Sequence, residues 1–169
     1  MDGGPLEEPD DRRFNWSHLP PLASHLAPTG GEIRSRLEDF GVTEIPKCLP
    51  NGQGHHAYAF VEKRGLTTHD LVSHLRSQGV SMRDVGVAGR KDKYAVTRQW
   101  ISVPGEFEHA LASLDEMDGV NLLETSRHRN KLGVGHLAAN RFEITVRGPV
   151  DDWQTRAQAI LSYLEQHGL

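Results

Sequence analysis

The sequence predicts an α+β domain, a mainly antiparallel mixed sheet with helices on one face. Three observations predict it. Period-two alternation recurs in short segments, clearest in His56–Lys63, where Tyr58 and Phe60 share one face and Ala57, Ala59 and Val61 the other. Helical periodicity is confined to three places. Strand also follows strand directly, which breaks the alternation expected of a parallel βαβ sheet.

The elements follow in order. Residues 1–30 hold five of the nine prolines and few large apolar side chains. They read as a flexible, acidic, proline-rich leader that docks only through Phe14, Trp16 and its leucines. Gly30-Gly31 opens the folded part, residues 31–169. Ile33–Ile45 carries Phe40, Val42 and Ile45, which fits a short strand with turns. His56–Lys63 is the next strand. Thr67-Thr68-His69-Asp70 starts a helix with a Thr cap and an acid in the first turn; Leu71, Val72 and Leu75 form its stripe and Gly79 its stop. Val85–Ala88 and Gln99–Val103 are strands. Phe107, Leu111 and Leu114 fit a helix face. Val120–Leu123 and Phe142–Val146 are strands, and Asp151 caps a last helix with Trp153, Ala157, Ile160, Leu161 and Leu164 inward.

Bulk properties exclude several classes. No apolar run approaches the roughly 20 residues needed to span a bilayer. The opening MDGGPLEEPDD is acidic and apolar-poor, unlike a signal or transit peptide. Cys48 is the only cysteine, which forbids an internal disulfide and fits a reducing, cytoplasmic setting. The formal net charge is −4, yet five acids fall within residues 1–11; without them the balance turns slightly positive. Two short runs are basic, Arg90–Arg98 and Arg127–Lys131.

The first basic run surrounds one carboxylate, Asp92. Nearby cations stabilise its ionised form, which makes it a poor acid and a usable nucleophile. The alternative is a salt-bridged surface turn, the commoner fate of such a stretch. A phosphate loop is excluded because Gly86 and Gly89 lack Walker spacing. Gly133-Val134-Gly135-His136-Leu137-Ala138 mimics a dinucleotide fingerprint without the preceding strand or the following helix. The ten histidines show no metal-ligand spacing, Cys48 has no partner, and no serine elbow exists. In the second run, Arg127, His128 and Lys131 suit phosphates and sugars, or simply a solvated loop. Enzymes that act on a base must take it from the stack and hold it between apolar groups. Phe40 and Phe142 could do so, although both equally suit a core.

Three segments together are specific. They are Glu38–Glu44 (EDFGVTE), Ala88–Gln99 (AGRKDKYAVTRQ) and Arg127–Phe142 (RHRNKLGVGHLAANRF). In this order they closely resemble the signature of the tRNA pseudouridine synthase D family. The resemblance implies a cofactor-independent isomerase without a metal, which detaches a uracil from its ribose in tRNA, rotates it and rejoins it through carbon five. Asp92 matches the catalytic aspartate, with attack on the sugar and action on the base both open. Phe40 and Asn140 match positions that bind the target nucleotide, and Phe142 an aromatic beside it. Lys91 then stabilises the Asp92 carboxylate or a phosphate, and Arg127, His128 and Lys131 contact RNA. Departures are Arg34, Leu37 and Ala139, where the family usually has Lys, Pro and Gly. Family members are about twice as long, so the chain matches the N-terminal half of the catalytic domain, with the C-terminal half and an inserted domain absent. The alternatives to a tRNA pseudouridine synthase are a truncated, non-catalytic RNA-binding module and, remotely, a metal-dependent hydrolase. Nothing in the sequence sets the oligomeric state.

Overall fold

The computed structural model describes residues 22–167. Phe14, Trp16 and most of the proline-rich leader lie outside the described residues. The described residues divide into two compact units, one of residues 31–148 and one that brings residues 22–30 together with 149–167.

The larger unit is built on a six-stranded sheet. Its strands are β2 (Phe40–Pro46), β3 (His56–Arg64), β4 (Gly86–Val87), β5 (Val96–Pro104), β6 (Val120–His128) and β7 (Leu137–Ile144). The order is β6-β3-β5-β2-β7, with β4 on β5 beside β2. Only β2 and β5 pair in parallel; every other pairing is antiparallel. A separate two-stranded ribbon pairs β1 (Gly30–Glu32) with β8 (Arg147–Pro149).

Alternation on β3 decides which face is which. Ala57, Ala59 and Val61 join Ile101 and Val103 of β5 and Val120 of β6 under helices α1 (Thr68–Ser77) and α2 (Glu108–Ala112). Leu71, Leu75, Ala110 and Leu111 supply the helical side. The opposite face carries Tyr58, Phe60 and Trp100, closed by Ala88, Leu132 and Leu137. α1 begins where its sequence dictates: Thr67 Oγ1 accepts from the Asp70 amide, and the Asp70 carboxylate accepts from the Thr67 amide at 2.6 Å. It ends before Gly79, whose φ of +90° suits glycine.

The entry to β2 is locked by a buried acid. Asp39 accepts from Arg147 Nη2 at 2.6 Å and Nε at 2.8 Å, and from the Arg36 amide at 2.9 Å. The Arg147 guanidinium beside it holds the Asp39 carboxyl below the usual carboxylate range.

Several bounds differ from the sequence reading. β2 begins only at Phe40, after a 3-10 turn over Leu37–Asp39. β6 runs on to His128 and β7 starts at Leu137, because the nine-residue β3 and the seven-residue β2 extend pairing into polar sequence. The helix expected over Phe107–Leu114 is a single α turn flanked by 3-10 turns.

In the smaller unit, α3 (Trp153–His167) packs with residues 22–30. Arg156 donates to the Pro28 carbonyl at 3.0 Å, the Val150 amide donates to the Thr29 carbonyl at 3.0 Å, and His25 meets Tyr163 edge-on. Trp153 and Leu161, expected to face inward, are 41% and 55% exposed. Periodicity tells which residues share a face, not whether anything covers it. Among the described residues no helix is long and apolar enough to cross a membrane.

The helix-covered core makes one stability prediction. Ile101 is fully buried between α1, α2 and the sheet, so Ile101→Ala should lower unfolding stability by about 2–5 kcal/mol, read by urea denaturation.

Candidate active site

The edge of β5 is shared between two neighbours. Val96–Arg98 pairs with β2, while Ile101 and Ser102 pair with β4. The β4–β5 connection emerges where these neighbours part, and it carries Asp92. Loops between fixed strands are the usual carriers of reactive groups.

The loop's backbone is held from beneath. Lys63 is fully buried and continues the face of Ala57, Ala59 and Val61. Its ammonium donates to the carbonyls of Leu66 at 2.5 Å, Asp92 at 2.8 Å and Lys91 at 3.5 Å. Burial pulls the Lys63 ammonium down to about 8, against the opposing pull of Asp92 and Asp70. A second tie comes from α1: Thr68 Oγ1 accepts from the Lys91 amide at 2.9 Å and donates to Gln99 Oε1 at 2.9 Å. Three carbonyls and one amide are thereby fixed, while the Asp92 side chain stays 58% exposed.

Lys91 differs from its expected place. Its ammonium bonds Glu44 Oε2 at 2.9 Å in a buried pair, with the side chains 3% and 0% exposed. It therefore meets neither Asp92 nor solvent. The cation that does reach Asp92 is Arg34, whose Nη2 lies 3.5 Å from Oδ2. The same guanidinium lies 3.8 Å from the centre of the Phe40 ring. Arg34 holds this place with a left-handed φ of +61°, uncommon for a residue with a Cβ.

Cross-strand register assembles the rest. On β2 and β7, Phe40 faces Ile144, Val42 faces Phe142 and Glu44 faces Asn140. Side chains two apart share a face, so Phe40, Glu44, Asn140 and Phe142 lie together. The two phenyl rings meet edge-on at 6.0 Å. Phe40 is buried, and Phe142 is 55% exposed. Asn140 Oδ1 and Glu44 Oε1 are buried acceptors with no hydrogen-bond partner. Such groups call for an external donor.

The second basic run is arranged differently. Arg127 pairs with Glu108, and Lys131 donates to the Arg83 carbonyl. His128 ends β6, edge-on to Tyr58 at 5.7 Å. β6 is an outer strand with β3 between it and β5, so this run does not join the Phe40–Asn140 group. Leu132, just beyond it, packs on Ala88 of the Asp92 connection. Among the described residues, no group of three or more His, Cys, Asp or Glu could hold a metal ion.

Arg34, Glu44, Lys63 and Thr68 were not picked out as site residues by sequence. Two of them leave a signal. Glu44 falls in phase with Phe40 and Val42, and Lys63 in phase with Ala57, Ala59 and Val61. A charge in the apolar phase of a strand marks a buried ion that needs a partner.

The mixed sheet thus presents an anchored, half-exposed carboxylate joined through Arg34 to the Phe40 ring of an aromatic pair. The family model for tRNA pseudouridine synthase D (TruD) matches residues 19–169, and the chain belongs to that family. It is 50% identical over 149 residues to tRNA pseudouridine synthase D of Geobacter metallireducens, covering 88% of this chain and 37% of that protein. With a Thermus thermophilus protein of the same name it shares 44% identity over 160 residues, covering 94% and 45%. A solved TruD structure from Methanosarcina mazei superposes with a TM-score of 0.74 at 28% identity, covering 85% of this chain and 33% of that one. The chain thus spans less than half the length of these relatives.

The buried pair can be tested directly. Glu44→Gln leaves Lys91 charged without its counter-ion and should destabilise the fold by about 3–5 kcal/mol. The double variant Glu44→Gln/Lys91→Met should recover most of that loss. Urea denaturation of the single and double variants gives the coupling energy.

Proposed function

We propose that this chain forms the N-terminal half of the catalytic domain of a cytoplasmic tRNA pseudouridine synthase. The observation that carries the proposal is the half-exposed Asp92 carboxylate, held by its backbone on the face that bears Phe40, Phe142 and the unpartnered Asn140 acceptor. A uridine leaves the RNA stack and its uracil lodges against the Phe40–Phe142 pair. Arg34 lies on the Phe40 ring, so it swings aside as the base enters. Asn140 Oδ1 accepts from the uracil N3–H.

The reaction is a balanced isomerisation. The bond from ribose C1′ to uracil N1 breaks, the ring turns, and C1′ bonds to C5. C5 gives up its proton, and N1 gains one. Asp92 is the nucleophile, either at C1′, displacing the uracil, or at the base; both are open to a half-exposed carboxylate. No cofactor is needed for this exchange. Lys91 acts indirectly, through Glu44 and the loop. Arg127, His128 and Lys131 lie further along the RNA and meet its phosphates by exchanging their internal partners for them.

The length of the relatives favours a second reading, an RNA-binding portion that needs more chain for turnover. Both readings are tested with tRNA tritiated at uracil C5. The parent chain should release tritium, and Asp92→Asn should lose release while keeping its unfolding midpoint. Release by Asp92→Asn at the parent rate would remove Asp92 from the chemistry. Salt-sensitive tRNA binding without release from either protein would select the second reading.

A further inference from the structure

A concavity adjoins Asp92 on the α1 side. It is a cleft of about 860 Å³ between α1 and the β4–β5 connection, within the size range of ligand sites. Its apolar wall is Val72 of α1 with Met82, Val85 and Val87. Val72, Val85 and Val87 are half-buried, and Met82 is 49% exposed. Arg90 and Lys93 stand at its rim. Both are exposed, and among the described residues neither makes an ion pair, whereas Arg34, Lys91, Arg98 and Arg127 all do. The one acid that lines the cleft is Asp92 itself.

We infer that this cleft holds the nucleotide next to the target uridine on the same RNA strand, its base on the wall of Val72, Met82, Val85 and Val87 and its phosphate between Arg90 and Lys93. The inference rests on the synthase reading of Asp92. Charge complementarity selects the occupant: two unpaired cations beside an apolar wall fit a flat base joined to an anion. Position selects the strand. Asp92 borders the cleft and also meets Arg34 on the Phe40 ring. A uridine held on the Phe40 side therefore puts its neighbour, one phosphate away, at the cleft. Two sites astride the carboxylate would hold the strand on both sides of the reacting sugar and select for the neighbouring base.

The test uses the full chain and a short single-stranded RNA with one central uridine, with affinity read by fluorescence anisotropy. Replacing the neighbour on one side of the uridine by an abasic ribose should weaken parent binding about tenfold, with little effect on the other side. Met82→Asp should weaken the intact RNA by a similar factor and erase the abasic effect. Arg90→Ala/Lys93→Ala should reduce the slope of log affinity on log salt by about 0.7, the value for the one single-strand phosphate that the two cations share. If the parent binds but neither abasic substitution nor Met82→Asp changes affinity, the cleft is not a nucleotide site and the synthase reading stands. If the parent binds tRNA but none of these short RNAs, this inference fails and the synthase reading stands; if it binds neither, both fail.

Discussion

Lys63 is a buried ammonium that makes no ion pair among the described residues; it bonds three carbonyl oxygens instead. Burying a charge this way is unfavourable, and its lowered pKa records the desolvation. What the fold gains is a fixed backbone under Asp92. An aspartate cannot be held by its own carboxylate and also offer that carboxylate to a substrate. The restraint has to act on the main chain, and Lys63 and Thr68 supply it from opposite ends of the Leu66–Thr68 turn. The Lys91–Glu44 pair adds a side-chain tie to β2, so the loop is fastened to two strands and a helix.

The sheet makes this arrangement possible. Parallel pairing of β2 with β5 lasts for three residues, after which β4 occupies the same edge of β5. The connection between β4 and β5 must emerge at that break. The apolar core under α1 and α2 keeps β3 and β5 in register, and β3 delivers Lys63 to the end of that face. Packing, register and the reactive loop are therefore one problem: a slip of one residue on β3 would turn Lys63 to the other face and release Asp92.

Much of this was legible in the sequence where the determinants are local. The Thr67–Asp70 cap, the alternation of His56–Lys63 and the stop at Gly79 all depend on neighbours within a few residues. The position of Asp92 between two strands was legible from the residue pattern on either side of it; the Phe40, Asn140 and Phe142 group was legible through family resemblance, and the β2–β7 register brings that group to one face. The partner of Lys91 was not legible, because Glu44 is 47 residues away and the pairing follows from how β2 and the loop meet. Likewise the basic run at Arg127–Lys131 read as a loop, whereas pairing with β3 draws its first two residues into β6. Arg34 stood out only as a departure from the family. Its place over Phe40 depends on a left-handed backbone that no local pattern announces.

Buried restraint of the backbone, more than the surrounding charge, positions Asp92. NMR order parameters for the amides of residues 90–94, in the parent and in Lys63→Met, test it most directly. Values of about 0.85 are expected in the parent and below about 0.6 in the variant, with the amides of β3 and β5 unchanged. Equal order in both proteins would contradict it and leave the loop held by something other than Lys63.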